Sequence, residues 1–311
     1  LEEDEEEEEQ EEEEGEGEDS DGEGDRGRIF SKCVQWPKQN LTYWSRVVKE
    51  LVGGLFLLLQ DLFSDQFLPV LQPATGVGSA FEGWSPQEDG APYSMLVPLK
   101  APRGHVFHQE PGTPGEIPAK HACIRMELEC TCMNEQLVGN MLYFLHHSEE
   151  ELKRNQSPSL LHTLCTGSYL DVQKTMCCLK TFVSLAWVVL LQSRCFHMKL
   201  LPSSCSGKLK LKNASKRTFF ADIMFGVQQG DLDVFVCSQS TENSFTSNMM
   251  WPETYAVAGV KFFRCMARQT AWDTIHLRYL QLCAHILVGT GFSTYVFKTA
   301  VMHLLTTIPL S

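Results

Sequence analysis

The sequence has 311 residues, of which 43% are hydrophobic, with 39 acidic against 26 basic side chains and 12 cysteines. This length allows one large domain or two modest ones, and the hydrophobic content excludes disorder of the whole chain. Residues 1–28 hold 18 of the carboxylates and only two arginines, a charge of −16 that outweighs the +3 of the remaining residues and sets the overall net charge of −13. The remaining residues have 21 acidic and 24 basic side chains, and the overall charge therefore says nothing about the partners of the folded part.

The acidic segment 1–28 is predicted to be a disordered linker. Its run of Glu, Asp and Gly cannot bury a core, and its like charges repel each other at every helical spacing. The first residue is Leu1 rather than Met, so we expect the chain to be a fragment of a longer protein. The uncharged apolar runs Leu51 to Leu59 and Thr181 to Leu191 reach only about half of the ~20 residues that a membrane helix needs. No membrane span is therefore predicted within the sequence.

The cysteines are scattered and include no C-x-x-C pair, which favours buried thiols in a reducing compartment. The alternative of a secreted chain is supported by three N-x-S/T triplets, which begin at Asn40, Asn155 and Asn213. Such triplets are short enough to occur by chance, and we therefore favour the reducing compartment.

In chain order, hydrophobic residues spaced by three and four from Trp44 to Leu62 predict an amphipathic helix. The following part alternates between strand and helix patterns. Strands are predicted at 95–99, 122–132, 196–201, 208–211, 217–225 and 231–236, and helices at 135–146 and 171–191. From about Trp251, where Trp251-Pro252-Glu253 is typical of a helix start, three helices are predicted, the last two at 277–287 and 294–305.

These elements predict an α+β fold, a mixed sheet with flanking helices followed by a helical C-terminal lobe. The boundaries that we predict are 1–28 for the acidic linker, 29–238 for the α+β lobe and 249–311 for the helical lobe. The polar segment Gln239 to Asn248 is the predicted connection between the two lobes.

The most specific local motif is the glycine-rich run GVGSAFEGW at 76–84. Glycines let backbone amides approach an anion closely, and the Ser79 hydroxyl adds a donor, so a turn at Gly78-Ser79 is suited to holding a phosphate. A purely structural turn is the alternative. The run is not a Walker loop, because no Gly-Lys-Ser/Thr follows.

Three strings together carry a family resemblance: GSAFEGWSP at 78–86, LHTLCTGSYLD at 161–171 and FGVQQGD at 225–231. They resemble the inositol trisphosphate receptor-interacting protein-like family, within the cyclic GMP-AMP synthase-like nucleotidyltransferase superfamily. The resemblance covers about Leu41 to Ser311 and implies a nucleotidyltransferase-like fold. It also matches FFADIMF at 219–225 and FSTYVFKT at 292–299 to a later strand and the helical lobe.

Active members of this superfamily use three carboxylates around two magnesium ions, because two metals about 4 Å apart activate the attacking hydroxyl and neutralise the leaving phosphate. Asp222 matches the third carboxylate, whereas Pro92 and Ser94 stand where the acidic pair would be. We therefore expect Gly78, Ser79 and Asp222 to form a vestigial nucleotide pocket, with no catalytic residue, no metal and no cofactor. A shifted metal site that combines Asp222 with Glu88 or Asp89 is the less favoured alternative.

Other candidate sites are weaker. Lys208, Lys210 and Lys212 alternate with leucines and precede Lys216 and Arg217, a pattern for which a merely solvated strand face is the favoured interpretation. A basic face for an anionic ligand is the alternative, and no nucleic acid is expected because exposed aromatic residues are not interleaved. The pair Asp231-x-Asp233 is predicted to be a solvated strand end rather than a metal site, and no zinc pattern is present.

The resemblance implies an interaction module of a single-pass membrane protein rather than an enzyme. Its implied partner is the inositol trisphosphate receptor, with an influence on calcium signalling, a membrane segment upstream of Leu1 and this domain on the cytoplasmic side. The acidic segment 1–28 would then be a juxtamembrane linker. Two alternatives remain: a cell-surface ligand that inhibits the T-cell receptor complex, as resemblance to one family member implies, and a metal-dependent nucleotidyltransferase that uses Asp222.

Overall fold

The computed structural model describes residues 38–63, 69–85, 92–102, 104–111, 121–128, 160–238, 248–269, 275–287, 290 and 294–307. Its helices are α1 Lys38–Phe63, α2 Ser79–Glu82, α3 Val172–Val189, α4 Ala256–Gln269, α5 Ile275–Leu287 and α6 Thr294–Thr307, with short 3-10 turns at Leu160–Leu164 and Leu191–Arg194. The predicted α+β class is confirmed, because these helices flank a large mixed sheet. None of the helices in the described ranges is long and apolar enough to cross a membrane.

The strands are β1 Val70–Leu71, β2 Thr75–Val77, β3 Pro92–Lys100, β4 His105–Pro111, β5 His121–Leu128, β6 Cys165–Thr166, β7 Tyr169–Leu170, β8 Phe196–Leu200, β9 Gly207–Asn213, β10 Thr218–Gln228, β11 Phe235–Cys237 and β12 Met250–Thr254. Their order in the sheet is β1-β3-β10-β11-β12-β5-β7-β6, with β2 beside β3, β4 beside β5, and β9 and then β8 extending from β10. The strands β3 and β10 run parallel, whereas β9 and β11 are antiparallel to β10. This arrangement places β3 and β10 at the centre of the candidate site.

One face of the sheet packs against α1 and α3. On α1 the buried residues recur every three or four positions, as a helix with one apolar face requires: Val48, Leu51, Val52, Leu55, Phe56 and Leu59. The long helix α3 begins as predicted, with the Asp171 side chain accepting a hydrogen bond from the Lys174 amide at 3.0 Å. Strand residues at alternate positions complete this core, among them Met95, Val97, Ala221, Ile223 and Phe225.

Helix α4 covers part of the opposite face. Val257 and Val260 pack there with Val77, Leu96 and Phe235. Met95, Leu96 and Val97 are all buried because β3 has helices on both sides, so β3 is less alternating than an exposed strand would be. Only one side of β5 is fully covered, so buried and half-buried residues alternate along the strand. The predicted alternation is confirmed, because Ala122, Ile124 and Met126 are buried and the residues between them are half-buried.

Two predicted elements differ from the structure. Trp251 does not start a helix: it lies in β12, wholly buried, and its indole Nε1 donates to the Leu170 carbonyl oxygen at 3.0 Å, whereas α4 begins only at Ala256. The predicted strand 231–236 is wrong for Asp231 to Val234, because these residues form a turn and β11 begins at Phe235. The structure of the first segment depends on the burial of Trp251 by distant residues, and that of the second depends on the turn from Gln229 to Val234. Neither feature is visible in the spacing of residues along the sequence.

Several predictions fall outside the described residues, namely the acidic linker 1–28, Glu88 and Asp89, residues 129–132 of the predicted strand 122–132, the helix 135–146, and residues 239–247 of the predicted connection 239–248. The division into lobes at 238 and 249 remains a prediction.

Candidate functional site

The structure places Ser94 beside Asp222 at the centre of the sheet. Ser94 of β3 pairs with Asp222 of the parallel strand β10, and on its other side Ser94 pairs with Val77 of β2. Because neighbouring strands are about 4.8 Å apart, Val77 and Asp222 are about 10 Å apart, and Gly78 directly follows Val77. Gly78 and Ser79, which follow β2, and Asp222 on β10 therefore lie in the same part of the sheet, separated by the strand β3.

Asp222 is the single carboxylate on the described parts of β2, β3 and β10. Its residue surface is 6% exposed, and its Oδ1 atom is buried without a hydrogen-bond partner among the described residues. On the side away from Ser94, Asp222 pairs with Lys208 of β9. An aspartate between a serine and a lysine offers a divalent cation one ligand and one repulsive neighbour, which is a poor metal site.

Tyr93 lies next to Ser94 and faces the opposite, α1 side of the sheet, where its ring is 6.2 Å from that of Phe81. Burial raises the pKa of the Tyr93 hydroxyl, and the nearby Arg217 charge lowers it by a smaller amount. The Tyr93 hydroxyl is therefore neutral at physiological pH and provides no negative charge near Asp222.

The Gly-Ser turn, residues Gly78 and Ser79, is held by backbone hydrogen bonds. Gly78 has a positive φ of 81°, and its carbonyl oxygen accepts from the amides of Phe81 and Glu82, both at 3.0 Å. The Ser79 carbonyl accepts from the amides of Gly83 and Trp84. These bonds wind the four-residue helix α2 and fix the turn, and the N-cap residue is Gly78, so no side-chain hydrogen bond caps the helix.

A buried ion pair anchors the segment after the Gly-Ser turn to the C-terminal helices. The Lys298 ammonium of α6 donates to Glu82 Oε1, and Trp84 Nε1 donates to Glu82 Oε2 at 2.7 Å. The Glu82 side chain is 0% exposed and that of Lys298 is 11% exposed, so both charges are removed from water. The Lys298 ammonium also lies 5.7 Å from the centre of the Phe263 ring of α4, within cation–π range.

The predicted basic residues are divided between two faces of the sheet. Lys208, Lys210 and Lys212 lie on the side of Asp222, opposite the buried Leu209 and Leu211. Arg217 lies on the other side, with its guanidinium carbon 4.9 Å from the centre of the Trp44 ring of α1. Lys216 lies in the turn between β9 and β10 with a positive φ of 63°, so the five residues do not form one surface.

Asp231 and Asp233 lie in the turn between β10 and β11 and not at the solvated end of a strand, as the sequence predicted. The Asp233 carboxylate accepts from the Lys261 ammonium of α4 at 2.6 Å, and Asp231 is exposed. In the described part of the chain, no group of three or more His, Cys, Asp or Glu side chains could hold a metal ion.

Sequence reasoning missed two features of this region. The first is the Glu82–Lys298 pair, whose partners are 216 positions apart. A lone lysine in the apolar run of α6 was the available signal, because a buried lysine requires a counter-charge. The second is the contribution of β8, where His197 pairs with Lys212 and Lys199 pairs with Lys210.

Comparison with known proteins identifies several relatives with closely related names. No family model matches the chain. It is 33% identical over 274 residues to inositol 1,4,5-trisphosphate receptor-interacting protein-like 1 of Rattus norvegicus, an alignment that covers 85% of this chain and 50% of the relative. The protein of that name from Mus musculus is 31% identical with the same coverage, and inositol 1,4,5-trisphosphate receptor-interacting protein of Homo sapiens is 23% identical over 90% of this chain and 55% of its own length. The chain spans about half the length of the curated relatives that it matches.

Proposed function

Because this chain belongs to the family of the inositol 1,4,5-trisphosphate receptor-interacting protein and its like-1 relatives, we propose that it is an interaction module that binds the inositol 1,4,5-trisphosphate receptor without catalysing a reaction. These relatives are named for interaction with the receptor and not for an enzymatic activity. The proposed architecture is a nucleotidyltransferase-like fold with a vestigial nucleotide pocket that does not catalyse nucleotide transfer.

The pairing of Ser94 with Asp222 carries the proposal. Two-metal phosphoryl transfer needs several carboxylates that bridge both cations. At this position in the sheet the described strands β2, β3 and β10 provide Asp222 alone, and its neighbour on β9 is the cation Lys208. The positive charge of a lysine next to a lone carboxylate repels a divalent cation. This arrangement supports recognition rather than nucleotide transfer.

The membrane setting is part of the proposal. We propose that a membrane segment outside this sequence anchors the domain on the cytoplasmic side, where binding to the receptor would influence calcium release. Residues 1–28 would then serve as the acidic linker next to that segment.

The test has two readouts, receptor capture and nucleotidyl transfer. Immobilised full chain is incubated with detergent-solubilised receptor, and the same preparation is incubated with ATP or GTP and magnesium. We expect capture of the receptor and no nucleotide product from the wild type and from Asp222→Asn, because the substitution changes a buried group rather than a partner surface. A peptide of residues 1–28 is the control for charge-driven capture. Failure of the full chain to capture the receptor, or equal capture by the peptide, would contradict the proposal.

A metal-dependent nucleotidyltransferase that uses Asp222 is the second candidate function. The observation that favours it is the buried Oδ1 atom of Asp222, which has no hydrogen-bond partner in the described residues and so could bind a ligand. Calorimetric titration of the wild type and of Asp222→Ala with ATP and magnesium separates the two functions. Binding and turnover that disappear in Asp222→Ala would establish the enzyme and overturn our first proposal.

A further inference from the structure

Strands β8, β9 and β10 expose a basic surface that sequence spacing only partly predicted. Alternate side chains of these strands are buried against the helices, among them Leu209, Leu211 and Phe219. The alternate positions on the opposite side carry four lysines. We call this set the basic face: Lys199 of β8 and Lys208, Lys210 and Lys212 of β9.

The lysines of the basic face are close together. Lys199 pairs directly with Lys210, so these two like charges lie across adjacent strands, about 5 Å apart at their Cα atoms. Lys208 and Lys212 extend the set along β9 to a length of about 14 Å, given about 3.4 Å per residue. The imidazole of His197, which pairs with Lys212, adds a hydrogen-bond donor or acceptor at one end.

Within the described ranges the basic face has no counter-charge except Asp222. None of the four lysines forms an ion pair with a described carboxylate, and like charges in directly paired positions destabilise a sheet. Asp222 pairs with Lys208 and partly balances it, which leaves Lys199, Lys210 and Lys212 as the unbalanced group. A surface with several unbalanced positive charges attracts an anion, because a bound anion relieves the repulsion between them.

The surroundings of the basic face limit the type of anion that it can bind. The Lys210 ammonium lies 5.8 Å from the centre of the half-buried Phe220 ring, which holds it over the sheet rather than extended into solvent. The exposed large hydrophobic side chains in the described residues lie outside β8, β9 and β10, so nothing on these strands would insert into a bilayer or stack with successive bases. Phosphate oxygens, in contrast, accept short charge-assisted hydrogen bonds from ammonium groups.

We propose that the basic face binds a soluble, compact anion that carries two or more phosphate groups. One phosphate lies between Lys199 and Lys210, and a second is reached by Lys212. Asp222 repels the anion and confines it to the part of the face away from Ser94. This site is separate from receptor binding and does not depend on the proposed function.

Calorimetric titration of the full chain with inorganic tripolyphosphate tests the site. We expect saturable binding to the wild type and at least about tenfold weaker binding to Lys210→Gln/Lys212→Gln, because each lost ammonium removes a charge-assisted hydrogen bond. The matched control is Lys49→Gln/Lys100→Gln, which removes the same charge from exposed lysines on α1 and at the far end of β3. Asp222→Asn is expected to tighten binding, since it removes the repulsive carboxylate.

Three results would overturn the proposal. The first is equal affinity of the wild type and of Lys210→Gln/Lys212→Gln, and the second is an equal loss in the Lys49→Gln/Lys100→Gln control, which would indicate unspecific attraction. The third is binding to phosphoinositide-containing vesicles or to a single-stranded oligonucleotide without binding to tripolyphosphate, which would assign the face to a membrane or to nucleic acid.

Discussion

Glu82 and Lys298 form a buried pair of charges in which each residue depends on the other. Removing one partner of a buried pair leaves an uncompensated charge, which typically costs about 3–5 kcal/mol. We expect Lys298→Met to lower the free energy of unfolding by about 3 kcal/mol, because the Glu82 carboxylate keeps the Trp84 hydrogen bond but loses its cation. Urea unfolding followed by circular dichroism measures this change.

The control for this prediction is Lys261→Met, which breaks the exposed pair with Asp233. The Lys261 side chain is 63% exposed, and exposed pairs contribute about 0–1 kcal/mol. In the double variant Glu82→Gln/Lys298→Met no buried charge remains, so part of the lost stability should return. Equal effects of Lys298→Met and Lys261→Met would show that burial does not set the strength of the Glu82–Lys298 pair.

At the residue scale, sequence reasoning predicted local features better than paired ones. The Gly-Ser turn was recognised because glycine spacing is local, and the positive φ of Gly78 agrees with a glycine requirement at that position. The pairing of Ser94 with Asp222 depends on the register between β3 and β10, which local spacing does not show. The Glu82–Lys298 pair could not be predicted, because it forms only when α2 and α6 meet in the folded chain.

Contact between strands β10 and β11 depends on Gly226. A Cβ atom at this position would lie 2.9 Å from the Val236 carbonyl oxygen and 3.0 Å from the Cys237 Cβ atom, so the backbone of β11 would have to move. We expect Gly226→Ala to lower the free energy of unfolding by about 1–3 kcal/mol, as overpacking of a core does. Thermal unfolding by calorimetry measures the effect.

The same substitution in α1 should have the opposite sign. Gly53 lies inside the helix, and apart from the adjacent backbone of α1 a Cβ atom there would meet no described atom within 4 Å. Gly53→Ala should raise the free energy of unfolding by about 0.5–1 kcal/mol, because alanine loses less backbone entropy in a helix. If both alanine variants shift the free energy of unfolding in the same direction, the predicted steric effect of the close contact between β11 and Gly226 is wrong.

At the element scale, periodicity predicted the elements whose burial is simple. The helix α3 and the strands β5, β8 and β9 were found because each has one apolar side, and β10 was found from its long apolar run. The strand β12 was mistaken for a helix start, because Trp251-Pro252-Glu253 has the local chemistry of a helix N-terminus. The buried position of Trp251 depends on distant residues: it pairs with Ala122 of β5 and donates a hydrogen bond to Leu170 of β7.

At the scale of the whole molecule, the C-terminal helices complete a core that begins at the Gly-Ser turn. Trp84, which follows α2, is buried with Phe263 of α4 and with Leu280 and Ala284 of α5. Partly buried side chains of α6 pack against this cluster: Phe297, Val301, Met302 and Leu305. The helices α5 and α6 therefore contribute to the position of the Gly-Ser turn, although they lie more than 190 positions later in the chain.

This arrangement predicts that removing α6 affects the part of the chain that holds the turn. In a chain that ends at Thr290, Glu82 loses Lys298 and the cluster around Trp84 loses four apolar neighbours, each worth up to about 1.5–3 kcal/mol when fully buried. We expect the truncated chain to lose more stability than Lys298→Met, measured by the urea midpoint, and to show a changed environment of Trp84 by tryptophan fluorescence. A Trp84→Phe variant of the full chain identifies the signal of this residue among the six tryptophans. An unchanged midpoint in the truncated chain would mean that α6 packs on the molecule without stabilising it, and the proposed link between α6 and the Gly-Ser turn would be wrong.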